Sequence, residues 1–93
     1  MREKEVEAAL VSAAKKRHGL ALKFVSPGMS GVPDRIVLLP EGKLGFIELK
    51  APGKRMRPLQ EKRKGQLEAL GFLVFCIDNK EKVEVVLDAI QAT

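Results

Sequence analysis

The sequence predicts a single α/β domain of order αβββαβα, a mixed β-sheet flanked by helices. Three observations carry that prediction. Apolar residues near both ends of the chain, and again after residue 58, recur at helical spacing. Four short apolar runs between and around them are bounded by glycine, proline or asparagine, as strands are. Only Pro40-Glu-Gly42 separates the second run from the third, which demands an antiparallel hairpin, whereas a helix separates the third from the fourth. With 93 residues, 45% hydrophobic and 31% charged, the chain supports one modest core and not two, so residues 1–93 read as one domain.

The first helix spans Met1 to His18, with Val6, Ala9, Leu10, Ala13 and Ala14 on one stripe. Lys15, Lys16 and Arg17 suit the negative end of its dipole, and Gly19 is the expected stop. Leu20 to Val25 reads as the first strand, and Ser26 to Pro33 as a Pro/Gly loop. Ile36 to Leu39 is a continuous apolar run of the kind found in a sheet covered on both faces, and Leu44 to Leu49 returns beside it. Ala51 to Pro58 is a basic loop. Leu59, Lys62, Gln66, Leu67 and Leu70 follow at helical spacing, with Gly71 as terminator. Phe72 to Ile77 is the fourth strand. Asp78-Asn79 caps a last helix whose stripe of Val83, Val86, Leu87 and Ile90 suits the core better than an interface.

Composition narrows the function. Four phenylalanines are the only aromatic side chains, which argues against base stacking of the single-strand-binding kind. One cysteine, Cys76, excludes an internal disulfide and a cysteine-rich zinc site, and its apolar surroundings read as core. No apolar segment approaches the ~20 residues of a membrane span, and no signal-peptide pattern opens the chain. A cytoplasmic protein without membrane contact is expected. The net charge is +5, and Lys54, Arg55, Arg57, Lys62, Arg63 and Lys64 face only Glu61 and Glu68 between residues 51 and 70. Such a patch suits a polyanion and equally suits a solvated helix face.

The chemistry concentrates between Ser30 and Lys50. Asp34 opens one strand of the hairpin and Glu48 and Lys50 close the other, so topology brings Asp34 and Glu48 to the same end although they are 14 positions apart. Side-chain alternation points Glu48 and Lys50 the same way. A hard divalent cation needs only one or two carboxylates besides water and substrate phosphate; Asp34, Glu48 and the backbone carbonyl of Leu49 could supply the protein ligands. Lys50 could then orient or deprotonate a water, or hold charge on the phosphorane. Each residue taken singly is more often structural: an Asp before a strand is a turn residue, and Glu-x-Lys a surface ion pair. Two charges directly after a buried apolar run, however, are costly without a purpose.

Pro33-Asp34 followed by Glu48-Leu49-Lys50 resembles the signature of the PD-(D/E)xK nuclease superfamily. Ser26-Pro-Gly, Gly31-Val-Pro-Asp-Arg35, the Glu-Leu-Lys strand and Pro58-Leu-Gln60, in that order, resemble the VRR-NUC family of virus-type replication-repair nucleases. The resemblance implies a restriction-endonuclease-like core and Mg²⁺- or Mn²⁺-dependent hydrolysis of DNA phosphodiesters. It implies metal binding by Asp34 and Glu48, a catalytic Lys50, and an acid on the first helix near the metal. Glu7 fits that position better than Glu3, although by spacing alone both read as solvated acids on one helix face. Gln60 matches a family glutamine at the start of the second helix. Small free-standing members resemble phage or prophage homodimers acting on branched DNA such as four-way (Holliday) junctions, which places this chain in a bacterial host cell. Two symmetric cuts by a chain with one site also require two copies. Lys54, Arg55, Arg57, Lys62, Arg63 and Lys64, with Arg35 beside Asp34, are the expected DNA contacts. His18 has no assigned role beyond solvation or capping.

Two other classes compete: a non-catalytic nucleic-acid-binding module that keeps the fold, and a small structural or partner-binding protein. The presence of Asp34, Glu48 and Lys50 together speaks against the first, and the second predicts no nuclease activity with any metal.

Overall fold

The computed structural model describes residues 2–93, so the expected helix start at Met1 lies outside the described residues. Its elements are α1 (Glu3–Lys16), β1 (Leu20–Lys23), β2 (Arg35–Leu39), β3 (Lys43–Leu49), α2 (Pro58–Ala69), β4 (Leu73–Ile77) and α3 (Glu81–Gln91). This is the expected order αβββαβα, with a short 3₁₀ turn at Pro40–Gly42 in the hairpin. The strands lie in the order β1-β2-β3-β4. The first two pairings are antiparallel and the third is parallel, which makes the sheet mixed.

The helix ends follow local rules. The stop expected at Gly19 comes one residue earlier, because His18 itself takes the left-handed conformation (φ 64°). The amides of His18 and Gly19 close on the carbonyls of Lys15 and Ala14, a Schellman arrangement. Gly19 is required for another reason: a Cβ there would lie 2.3 Å from the Leu38 carbonyl oxygen. Gly71 ends α2 as expected, at φ 96°, with the amides of Gly71 and Phe72 on the carbonyls of Glu68 and Leu67. Asn79 caps α3 by accepting the Lys82 amide at 3.1 Å.

One face of the sheet carries the core. Val6, Leu10 and Ala13 of α1 and Val83, Val86, Leu87 and Ile90 of α3 bury against Val37, Leu39, Ile47, Leu49 and Ile77. The α3 stripe is therefore core. The close approach of α3 to β3 needs Gly45, where a Cβ would meet Ile90 Cδ1 at 2.5 Å. Arg17 ties the end of α1 to α3, reaching Asp88 at 2.9 Å and Gln91 at 2.6 Å.

The opposite face is only partly covered. The register aligns Leu20 with Leu38 and Leu44 in one rung, and Leu22 with Ile36, Phe46 and Val74 in the next. Helix α2 crosses the β3–β4 side of this face and has no fully buried residue. The run Ile36 to Leu39 is thus not covered on both sides as expected: Val37 and Leu39 are buried, but Ile36 and Leu38 only half so. Two helices pack one face where a single short helix must serve the other.

Candidate active site

The third rung of the partly covered face holds the chemistry. Arg35 pairs with Ile47, which sets Asp34 opposite Glu48, and Glu48 pairs in turn with Cys76. Buried Pro33 keeps Val32 out of helical geometry on the approach to β2. The Asp34 carbonyl accepts the Phe24 amide at 2.8 Å. Its carboxylate Oδ2 accepts the Leu49 amide across the hairpin at 2.9 Å. Asp34 is locked to the strand that carries Glu48 and Lys50.

Glu48 is 2% exposed, the one buried charged residue among the described residues. Its Oε2 accepts the Gln60 side-chain amide at 2.8 Å and faces Lys50 Nζ at 3.4 Å. Its Oε1 is buried without any hydrogen-bond partner. Burial, and next the Asp34 carboxylate, push the Glu48 pKa up to about 7, against the pull of Lys50. A buried carboxylate with one bare oxygen, facing a second carboxylate, is what a cation would stabilise. Gln60 is fixed at its other end, where its Oε1 accepts the Arg57 amide at 2.8 Å and so caps α2. One side chain thereby joins the helix start to the acid.

A cleft of about 220 Å³ opens beside this rung, lined by Glu3, Glu7, Lys23, Phe24, Val25, Asp34 and Leu49. Both first-helix acids therefore stand at its wall. Glu7 is not free, since its Oε2 accepts from Arg35 Nη2 at 3.0 Å and Nε at 3.2 Å. Arg35 Nη1 also donates to the Ala21 carbonyl at 2.7 Å. Among the described residues no three His, Cys, Asp or Glu side chains are grouped to hold a metal. The oxygen donors at hand are the Asp34–Glu48 pair and the Leu49 backbone, a set that fits a hard cation retaining most of its water.

The basic residues divide. Lys54, Arg55, Arg57 and Lys62 are exposed on the loop and helix that follow β3. Three others expected to contact DNA have partners within the protein. Arg35 clamps Glu7 and Ala21, Arg63 donates to the Ser30 carbonyl at 2.7 Å and to Gln66, and Lys64 pairs with Glu68 at 2.9 Å. Cys76 departs from the core position expected of it. It is half-buried next to Glu48, and burial, with Glu48 next, holds its thiol pKa above the ordinary value. Sequence reasoning missed the Arg35–Glu7 clamp, although alternation signalled it: Arg35 must point opposite to Asp34, toward α1. The neighbourhood of Cys76 had no such signal, because it depends on β4 pairing parallel to β3.

No family model matches the chain. A relative named "Putative nuclease p44", from Acyrthosiphon pisum secondary endosymbiont phage 1, is 48% identical over 81 residues, which is 87% of either chain. A solved structure described as a VRR_NUC domain superposes with a TM-score of 0.86 at 26% identity, covering 92% of this chain and 94% of that one.

Proposed function

Because the chain belongs to the VRR-NUC family of nucleases, we propose that it is a metal-dependent endonuclease that hydrolyses DNA phosphodiesters, selects branched DNA such as four-way junctions, and works as a homodimer. The observation that carries the catalytic reading is Glu48: a buried carboxylate with an unpartnered oxygen, set opposite Asp34 and beside Lys50.

Asp34, Glu48 and the Leu49 carbonyl would hold Mg²⁺ or Mn²⁺. When bound, such an ion polarises the scissile phosphate and lowers the pKa of its water. The chain's own residues do the rest. The Leu49 amide holds one Asp34 oxygen, and the other would be the one to meet a cation. Gln60 holds Glu48 Oε2, which leaves Oε1, buried and without a partner, as the oxygen a cation would take. Lys50 Nζ, kept near the carboxylate by the ion pair, is positioned to balance negative charge gathering on the phosphate. Glu7 and Arg35 brace α1 against the strands at the cleft wall; in this reading Glu7 acts through Arg35, and Glu3 is the acid left facing the cleft. Lys54, Arg55, Arg57 and Lys62 supply phosphate contacts that position DNA without reading its sequence.

The test is cleavage of labelled four-way junction, flap, duplex and single-stranded DNA with Mg²⁺ or Mn²⁺, beside Asp34→Asn and Lys50→Ala. Junction cleavage by the parent, with a loss of at least about a hundredfold in both variants, is expected. Equal cleavage by variants and parent overturns the site. Equal cleavage of every substrate overturns the structure selectivity. No cleavage with either metal overturns the catalytic reading.

A further inference from the structure

A groove of about 300 Å³ runs between α2 and the chain from Phe24 to Val32, and both of its walls begin at the candidate site. On one side the Asp34 carbonyl holds the Phe24 amide at 2.8 Å, and Phe24 lines both the cleft beside Asp34 and the groove. On the other, Gln60 holds Glu48 at 2.8 Å, and Arg63, Leu67 and Leu70 follow on the same face of α2. Arg63 to Leu67 lie about 5–10 Å beyond Gln60 along the helix axis, roughly two or three nucleotide steps of about 3.4 Å. The two walls are also tied to each other. Arg63 Nε donates to the Ser30 carbonyl at 2.7 Å. Gly31, at φ 83°, brings the loop so near α2 that a Cβ there would meet Leu59 Cγ at 2.7 Å. Phe24, Met29, Leu67 and Leu70 make the groove apolar, with Arg63 and Gln66 set among them. Arg63 Nη1 donates to Gln66 Oε1 at 3.0 Å, while Arg63 Nη2 and the Gln66 amide nitrogen meet no acceptor among the described residues.

We infer that this groove receives one unstacked nucleobase of the substrate strand, a few nucleotides at most from the phosphate to be cut. The occupant follows from the lining. A base has two apolar faces and a polar edge, so it needs a flat ring beside it and donors at the rim. Phe24 supplies the ring, packed on Phe46 at 5.7 Å, and Gln66 and Arg63 supply the donors. A phosphate would lose its water among these apolar side chains. A protein helix would need more room, since about 300 Å³ is the low end for small-molecule pockets. The charges of Arg63 and exposed Lys62 suit the phosphates flanking such a base. The row of stacked bases that so few aromatics exclude is not required, because one ring receives one base. This inference rests on the nuclease reading for its substrate and sharpens it. Taking a base out of its stack is costly in paired duplex and cheap where pairing is already broken, so the groove selects nucleotides beside a branch.

The test is an abasic scan. Affinity for flap and four-way-junction DNA is measured with Ca²⁺ in place of the catalytic metal, removing the base from each nucleotide around the branch in turn. The proteins are the parent, Phe24→Ala, Gln66→Ala and Leu70→Ala, with Val85→Ala as control, since Val85 is 67% exposed on α3. One position is expected at which loss of the base weakens the parent about tenfold. The groove variants should bind intact DNA more weakly and be indifferent to the missing base at that position, with Val85→Ala like the parent. Gln66 and Leu70 are exposed, so their variants fold even where Phe24→Ala does not. A scan with no such position overturns the inference. So do base and side-chain losses that add in every groove variant, a Val85→Ala protein that behaves as they do, or a parent that binds none of these DNAs. The nuclease reading is scored separately, by cleavage of the same DNAs with Mg²⁺ or Mn²⁺. Coupling without cleavage sinks the catalytic reading and leaves the groove standing, and cleavage without coupling does the reverse.

Discussion

Gln60 donates its side-chain amide to the Glu48 carboxylate across 2.8 Å, while its carbonyl oxygen accepts the Arg57 amide at the start of the same helix. A residue in the first turn of α2 thus also aims the buried acid of β3. Replacing it should cost twice. Gln60→Ala removes a helix cap and a charge-assisted hydrogen bond, for a loss of about 2 kcal/mol in chemical unfolding. Gln60→Glu keeps the cap acceptor but sets a carboxylate against Glu48. Cleavage should fall in both, and further in Gln60→Glu.

The raised pKa of Glu48 links stability to pH. Its folded value of about 7 exceeds the ordinary 4.5, so the folded chain binds the proton more tightly than the unfolded one. Without metal, stability should be greatest below pH 4.5 as far as this group is concerned, and should fall as pH rises through 7. The loss is on the order of 3 kcal/mol. Glu48→Gln should flatten that dependence and be more stable than the parent at pH 8, yet inactive. Unfolding curves across this pH range in a chelating buffer give the answer, and added Mg²⁺ should restore the parent above pH 7.

Arg35 and Glu7 form a partly buried pair at 3.0 Å, with side-chain exposures of 12% and 34%. A double-mutant cycle with Arg35→Ala and Glu7→Ala should return a coupling of about 1–2 kcal/mol, moderated by the exposure of Glu7. Additive losses would show that the clamp contributes nothing. Cleavage should fall in each single variant through displacement of α1 from the cleft.

Gly45→Ala should destabilise the fold by about 1–3 kcal/mol, because its new methyl group meets Ile90 within 2.5 Å. Ile90→Ala on its own opens a cavity and also destabilises. The two together should cost less than the sum of the separate losses, as measured by thermal unfolding.

Affinity for junction DNA, measured with Ca²⁺ in place of the catalytic metal, should fall steeply with salt. Arg55→Ala and Arg57→Ala should each flatten the slope by about one unit. Arg63→Ala should change stability more than slope, since its guanidinium is bonded to Ser30.

The order of elements and the hairpin were readable because the sequence marks them locally. Pro40-Glu-Gly42 enforces the turn, and alternation from Asp34 to Glu48 follows from it. Leu49 illustrates the limit. Its side chain is plain core, and only pairing shows that its amide holds Asp34. Arg35 and Arg63 read as phosphate contacts because charge is visible in a sequence and carbonyl partners are not. The half-bare sheet was misjudged for a related reason: four apolar residues in a row state that both faces are apolar, not that both are covered.

Asp34, one residue ahead of β2, and Glu48 on β3 are held at the two interior strands of a four-stranded sheet, one tied through Leu49 and the other through Gln60. No hinge separates the two acids; parting them means breaking strand pairing. The two acids do not move relative to each other, so in the proposed reaction the shape change that brings a phosphate onto them falls on the nucleic acid. Bending a continuous duplex costs several kcal/mol, by order of magnitude, whereas a junction or flap is interrupted already. Preference for branched DNA would then come from a protein that refuses to move.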